Sequence, residues 1–378
     1  MMMASKHFLE MLRKQGVEFF TGVPDSLLKH FLFYVQDHTP ASGHIITANE
    51  GQAIALAAGY HLATGKLPLV YMQNSGLGNA VNPLTSLTDK EVYSIPMLLL
   101  IGWRGRPGVA DEPQHKKMGR ITEGLLNVLE IPYFILNGDA VQDEETIQSA
   151  AALAKTGIQP VALLTKEAIF SSYQPLSVVP AYALNREQVL RSLSMHYTGN
   201  EVVVCTTGKS GREFYAINEE ADNKISKSFL SVGAMGLASQ VALGIHLFHT
   251  GKIVMIDGDG AVLMQLGALT LTGKLAGNAF IHIVINNGAH ESVGGQPTLG
   301  FDTDLCQIAE ACGYEEVSRI TTEQELMAWL KNGYSKEIKQ FVEIRVNMES
   351  RDHLPRPSTS PIARKELLMQ KLHDRKKG

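Results

Sequence analysis

Cysteine is scarce in this chain: Cys205, Cys306 and Cys312 are the only three in 378 residues. Three is an odd number and none sits at a metal-ligand spacing. Neither a disulfide framework nor a zinc site is expected, and reduced thiols in a cytosolic protein are the simplest account. Long hydrophobic runs are missing too. No stretch reaches membrane-spanning length, so no membrane partner is expected. Residues 1–14 pattern as an amphipathic helix and not as a secretory signal. The chain also lacks an excess of one charge: 34 Lys and Arg stand against 38 Asp and Glu, a formal net charge of −4. That argues against a general nucleic-acid surface. What remains is a composition of 44% hydrophobic and 19% charged residues, which fits a globular protein long enough for two domains.

Strand and helix signals alternate along most of the chain, the pattern of parallel α/β sheets. In the first half, strands are expected near residues 17–20, 44–47, 69–72, 97–101, 133–136 and 161–164, with helices near 5–15, 52–63, 118–129 and 143–155. Residues 171–181 are rich in Ser and Pro and read as part of a linker. The second half restarts with a helix at 186–194 and a strand at 202–205, then a helix at 237–249, and runs to a strand at 341–346. The expected division is a first domain over 1–172, a linker over 173–184, a second domain over 185–350 and a basic tail over 351–378. The halves are alike in size and style, as though two related units were joined. The tail carries three prolines and a short basic helix over 363–377. It is expected to be solvated, with folding back over an active site as the alternative.

The most specific signal lies in the second half. Gly258-Asp259-Gly260 follows an apolar strand at 254–257, and Asn286-Asn287 follows another at 280–285, with helical spacing over 262–274 between them. Such a strand–helix–strand unit puts its polar groups at the carboxyl ends of neighbouring parallel strands, the edge where open α/β sheets bind ligands. A carboxylate, an amide oxygen and backbone carbonyls form a hard oxygen site of the kind that holds Mg²⁺ through a ligand's phosphates. A lone G-D-G is usually a surface turn; the asparagine pair at this distance changes the weight. A nicotinamide fingerprint would require glycine at position 263, which is Leu263.

The pattern resembles the binding motif of the thiamine-diphosphate enzymes. The resemblance implies thiamine diphosphate and Mg²⁺ as cofactors, with Asp259, Asn287 and the Ala289 carbonyl as metal ligands. Gly258, Gly260 and Ala261 would lie against the diphosphate. Members often follow the asparagine pair with a residue, a glycine and an aromatic; here Gly288-Ala289-His290 stands instead, and the role of His290 is open. The resemblance also marks Asn49-Glu50-Gly51, after the strand at 44–47 and at the start of a helix of small residues. Read from the residues alone, Asn49 caps that helix and Glu50 complements its dipole. By resemblance Glu50 would meet N1′ of the cofactor's aminopyrimidine and promote removal of the C2 proton. Gly233-Ala234-Met235-Gly236 resembles the segment that bends the cofactor, with Met235 as apolar wedge and the Gly233 carbonyl holding the 4′-amino group. Thr207-Gly208-Lys209-Ser210 matches a diphosphate-side loop, which adds Gly208, Lys209 and Ser210.

The resemblance implies an α/β fold of two thiamine-diphosphate-binding-type domains, each a mostly parallel sheet flanked by helices, with no middle domain. That absence places the chain among the compact phosphonopyruvate and sulfopyruvate decarboxylases. The stretches 22–26, 73–79 and 104–115 lean toward phosphonate-acting members. The expected reaction is decarboxylation of a 2-oxo acid with a C3 phosphonate, giving phosphonoacetaldehyde and carbon dioxide, a step of phosphonate biosynthesis. Sulfopyruvate decarboxylation or carboligation is the alternative. Arg104, Arg106 and Lys116 are candidate phosphonate-binding cations, against the plainer reading of a mixed-charge loop. Asp25 and His115 are candidate proton-transfer groups, with a turn-forming role for Asp25 as the other possibility. A homodimer or higher homo-oligomer, with active sites at the subunit interface, is implied.

Overall fold

Runs of Val, Ile and Leu bounded by Gly, Asn and Asp fold into two six-stranded sheets, one in each of two units, Met1–Val178 and Val179–Gly378. The computed structural model describes residues 2–176, 182–221, 227–351, 353–355 and 357–373. Positions 177–181 of the expected linker lie outside the described residues.

The first unit runs α1 (Ser5–Lys14), β1 (Phe20–Gly22), α2 (Lys29–His38), β2 (His44–Ile46), α3 (Glu50–Thr64) and β3 (Leu69–Gln73). A short 3₁₀ turn, Asn74–Gly76, leads into α4 (Leu77–Leu84), β4 (Met97–Gly102), α5 (Pro113–Val128), β5 (Tyr133–Leu136), α6 (Ala140–Gly157) and β6 (Pro160–Thr165). Its strand order is β2-β1-β3-β4-β6-β5, every pair parallel. Ser171 is tied to Met3 by a backbone hydrogen bond, and Tyr173 donates its hydroxyl to Asp37, so the start of the expected linker packs on this unit.

The second unit runs α7 (Arg186–His196), β7 (Val202–Cys205), α8 (Lys209–Glu220), β8 (Ser228–Leu230), α9 (Ala238–Phe248) and β9 (Ile253–Gly258). It continues with α10 (Asp259–Met264), α11 (Ala268–Leu275), β10 (Phe280–Asn286), α12 (Leu305–Cys312), β11 (Glu316–Ile320), α13 (Glu323–Asn332), β12 (Gln340–Arg345) and α14 (Pro361–His373). The order β11-β12-β10-β9-β7-β8, again all parallel, is the first unit's order when each sheet is counted from its own first strand. The expected kinship of the halves is thus a shared topology.

Both sheets are covered on both faces. Along β4, Leu98 and Leu100 enter one core while Met97, Leu99 and Ile101 enter the other. Along β9, Val254 and Ile256 divide from Ile253 and Met255 in the same way. Two-sided burial is why these strands read as continuous apolar runs. It also drives polar groups to the strand ends.

Two expectations need correction. The single helix over 262–274 is two, α10 and α11, because Gln265 leaves the helical region at φ −129°, ψ 50°. The break sets Gln265 against Gly236, where an added Cβ would meet the Ala261 carbonyl and the Gln265 side chain at 2.7 Å. The tail is not simply solvated. Within it α14 packs on β8, Leu368 is buried in the core cluster beside Phe229, and the Arg364 guanidinium lies 5.0 Å from the Tyr215 ring centroid. Truncating a buried leucine loses transfer energy and leaves a cavity. Leu368→Ala is therefore expected to destabilise the second unit by about 2–3 kcal/mol, lowering its melting temperature by several degrees. A melting curve that overlays the unaltered protein would show that the helix is not docked.

Candidate functional site

In the first unit, the order β2-β1-β3-β4 brings four chain segments to one carboxyl edge. They carry Asp25 after β1, Glu50 after β2, Gln73 at the end of β3 and Arg104 after β4. Asn49 caps α3 by accepting from the Gly51 N–H at 2.8 Å, which fixes Glu50 as the first helical residue. The Glu50 side chain is buried, and Asn79 Nδ2 donates to its Oε2 at 2.7 Å. Burial pushes its carboxyl above the ordinary value; the Asn79 hydrogen bond only partly opposes this. Gly76 is required beside it, since a Cβ there would collide with the Glu50 carboxylate.

Asp25 is fully buried. Its Oδ2 accepts from Gln73 Nε2 and its Oδ1 from the Leu27 N–H, each at 2.9 Å. Burial raises its carboxyl, with Gln73, Leu27 and the charge of Arg104 pulling the other way. Asp25 thus makes the expected turn bond and also faces a side chain of the sheet edge. Gly102 lies so close that a Cβ would strike the Asp25 carboxylate.

Arg104 differs from its expected use. Its Nε and Nη2 form a fork on Asp111 at 2.8 and 2.6 Å, and Nη1 donates to Ser26 Oγ at 2.7 Å. The guanidinium holds Asp111 well below the usual carboxylate range. Asp111 and Ser26 use three of its five N–H groups, so a substrate phosphonate would meet a guanidinium already paired with a carboxylate. Arg106 is half-buried with no partner on its Nε, and Lys116 is exposed on α5. His115 is buried; burial, and then Arg104, lowers its pKa, so its ring is neutral at pH 7. Its Nδ1 has no hydrogen-bond partner.

In the second unit, β9 and β10 are neighbours, and α10 begins directly on Asp259. Asp259 is buried, accepts from the Thr298 hydroxyl and receives the Asn287 backbone N–H. Burial lifts its carboxyl to about 6, against the pull of Thr298. Asn287 donates Nδ2 to Glu291 at 2.9 Å, so its oxygen is the end turned from that carboxylate; Oδ1 accepts from the Ala289 N–H at 3.1 Å. Ala289 faces Pro297 in an isolated antiparallel bridge closed by its neighbours, the His290 N–H on the Gln296 carbonyl and the Thr298 N–H on the Gly288 carbonyl. In such a pair the Ala289 carbonyl points away from Pro297. A carboxylate, an amide oxygen and a backbone carbonyl fit Mg²⁺ in kind. Among the described residues no group of three or more His, Cys, Asp or Glu is placed to hold a metal.

Gly233, Ala234 and Gly236 have φ of +76°, +49° and +82°. A left-handed alanine between glycines is the kind of strain that a packed scaffold maintains at functional segments. Met235 is half-exposed and not a core residue, with its Cε 3.3 Å from where a Gly260 Cβ would sit. The Gly233 carbonyl accepts from Ser231 Oγ at 3.0 Å and keeps a second lone pair. His290 lies over the same Gly260, and burial lowers its pKa to about 4.

Gly208 and Lys209 open α8 at the end of β7, beside β9. The Lys209 N–H meets Ser292 Oγ at 3.1 Å, but its ammonium is taken by Glu291 at 2.8 Å and Ser350 at 2.7 Å. Two of the three donors of the ammonium are thus used within the unit. Burial works to raise Glu291, yet Arg186 and Lys209 outweigh it and hold the carboxylate low.

Sequence reasoning assigned no role to Gln73, Asn79, Thr298, Glu291 or Arg186. For the first two there was a signal: a polar, glycine-rich run directly after a buried strand. The other three meet the site only through tertiary folding.

Residues 2–123 match the family model of the thiamine pyrophosphate enzyme N-terminal TPP binding domain, and residues 206–344 that of the C-terminal TPP binding domain. The chain belongs to the thiamine pyrophosphate enzyme family. Among its relatives, phosphonopyruvate decarboxylase of Streptomyces viridochromogenes is 35% identical, covering 92% of this chain and 89% of that protein. Phosphonopyruvate decarboxylase of Streptomyces hygroscopicus is 33% identical over 95% and 92%. Sulfopyruvate decarboxylase of Methanosarcina acetivorans is 27% identical over 84% of each. This member of the family has the two cofactor-binding units and, among the described residues, no third sheet between them.

The Glu50 shift carries a sign. The folded state holds this proton more tightly than the unfolded chain, whose value is near 4.5. Stability from the group is complete below that value and is lost as pH rises through the raised folded one. Glu50→Gln, neutral and of the same shape, is expected to match the unaltered protein near pH 4 and to melt higher at pH 8 without cofactor. Equal melting temperatures at both pH values would show that the carboxyl is not desolvated.

Proposed function

We propose that the chain is a thiamine-diphosphate-dependent carboxy-lyase that converts 3-phosphonopyruvate to phosphonoacetaldehyde and carbon dioxide. The observation that carries this reading is similarity over nearly the whole length to two phosphonopyruvate decarboxylases. The two half-sites fit the cofactor. Asp259, Asn287 and the Ala289 carbonyl would hold Mg²⁺ and through it the diphosphate, against Gly258, Gly260, Ala261 and the loop at Gly208 and Ser210. Glu50 would stand at the aminopyrimidine, and the Gly233 carbonyl and Met235 would set the cofactor's bend. When bound, thiamine diphosphate supplies a nucleophilic carbon and an electron sink for the bond to the departing carboxylate.

The chain's own groups divide the remaining work. Glu50 has Oε2 engaged by Asn79, and its raised pKa favours the protonated carboxyl that would donate at the pyrimidine nitrogen. Burial raises the Asp25 carboxyl and so favours its protonated form, and it lowers His115 and so favours the neutral ring; the pair is suited to donating and accepting a proton at the carbon that loses carbon dioxide. Arg106 and Lys116 are the cations open to a phosphonate, and Arg104 organises their loop through Asp111 and Ser26. Assembly into at least a homodimer fits the exposed apolar side chains Val241, Leu247 and Phe248 of α9. Glu50 of one chain and Asp259 of another would then serve one cofactor.

Sulfopyruvate is the second reading, supported by the likeness to a fused sulfopyruvate decarboxylase. Incubation with phosphonopyruvate, thiamine diphosphate and Mg²⁺ is expected to convert the substrate's phosphorus NMR signal to that of phosphonoacetaldehyde, with sulfopyruvate turned over more slowly. Faster turnover of sulfopyruvate would reverse the assignment. Asp25→Asn is expected to lower kcat by about 10²–10⁴-fold with little change in KM. Unchanged kcat would remove Asp25 from proton transfer.

A further inference from the structure

Glu291 stands at the centre of a buried network of four charged side chains. Arg186 Nε and Nη2 fork onto Glu213 at 2.7 and 2.8 Å, and its Nη1 reaches Glu291 Oε2 at 2.6 Å. Lys209 meets Glu291 Oε1 at 2.8 Å. Arg186, Glu213 and Glu291 retain 5%, 1% and 9% side-chain exposure, and Lys209 25%. Two cations face two carboxylates, so the network is neutral, and Arg186 cannot turn away without leaving Glu213 unpaired in the interior. Glu291 is therefore held at both oxygens and from two sides.

The same Oε2 of Glu291 accepts the amide N–H of Asn287. An ionised carboxylate accepts and cannot donate, so it selects one of the two orientations of the Asn287 amide, nitrogen toward Glu291 and oxygen away. Asn287 Oδ1 is also fixed from the other side by the Ala289 N–H.

We infer that Glu291 is a positioning residue for the metal site, held in place by Arg186 and Lys209 so that it presents the Asn287 oxygen to the cation that binds the cofactor's diphosphate. The inference rests on the metal-site reading given above. It also reassigns the Lys209 side chain, whose ammonium supports Glu291 and is not a free cation for the diphosphate. Groups behind a metal ligand commonly matter for affinity because they set that ligand's orientation.

The network makes a further, less obvious demand. Asn287→Asp would exchange an amide for a carboxylate, ordinarily an equal or better Mg²⁺ ligand. Here the new carboxylate would face Glu291 with no N–H between them, and like charges in a buried setting repel.

The test is binding of Mn²⁺, read by the electron paramagnetic resonance of the free ion, in the presence of thiamine diphosphate. Melting temperature without metal or cofactor is measured alongside. Glu291→Ala is expected to weaken Mn²⁺ by about 10–100-fold, and Glu291→Gln, which keeps an acceptor, by less. Asn287→Asp is expected to bind at least tenfold more weakly than the unaltered protein. Should Glu291→Ala fail to fold, Asn287→Asp decides, because it changes no packing volume. Affinity unchanged in Asn287→Asp, or a lowered melting temperature with intact affinity in Glu291→Ala, would overturn the inference. Asn287→Ala separates the two levels. If it leaves Mn²⁺ binding intact, the metal-site reading itself falls and this inference with it. If it weakens binding while the other variants do not, only the role of Glu291 falls.

Discussion

Each unit buries a carboxylate at the carboxyl edge of its sheet with only neutral partners. Glu50 has an amide from Asn79, and Asp259 has a hydroxyl from Thr298 and a backbone N–H from Asn287. Hydrogen bonds of this kind do not offset desolvation, so both pKa values rise. Asp25 is held in the same way, by the Gln73 amide and the Leu27 N–H, and its pKa rises too, whereas several other buried acids have charged partners. Glu213 and Glu291 share Arg186, and Glu343 is flanked by Arg319 and Arg345. The arginine-paired acids hold the scaffold together, and under the proposed function a bound cofactor or cation would gain most at the acids of the sheet edges left with neutral partners.

The repeated strand order gives the setting for this division. A shared topology puts equivalent strand ends at equivalent places, but the chemistry at those places has diverged. After the second strand of the first unit stands a helix-opening glutamate. After the third strand of the second unit stands an aspartate, joined by an asparagine pair after the fourth. Under the proposed function the first edge would meet a ring nitrogen and a proton, and the second a cation and phosphates.

Much of this was legible in the sequence because it depends on short-range pattern. Strand ends were marked by the switch from Val and Ile to Gly, Asp and Asn, and Asn49-Glu50 read as a helix start from local chemistry alone. What could not be read depends on which residues the fold makes neighbours. For Arg104 the acids nearby already offered the plainer reading of a mixed-charge loop, but nothing local showed that Asp111 would be the partner, or that Glu291 would take the Lys209 ammonium. Asp111 lies only seven residues from Arg104, yet a loop turned back on itself has no periodicity to announce it. The tail misled for a similar reason. Its composition is that of a solvated segment, and one leucine, Leu368, anchors it to the second core.

The two pre-committed cations bear on how selectivity could arise. An arginine already forked onto an aspartate is a fixed dipole more than a free charge. It can lend a positive field to Asp25 and His115 without trapping an anion. A substrate carboxylate that must leave as carbon dioxide is poorly served by a strong cation, since the charge it loses would be stabilised in the ground state. A phosphonate that stays is well served by one. Under the proposed function, pairing Arg104 with Asp111 while leaving the Arg106 Nε in the loop and the exposed Lys116 at the start of α5 uncommitted would meet both demands. The position of the open cations, and not their number, would then tell the two ends of the substrate apart.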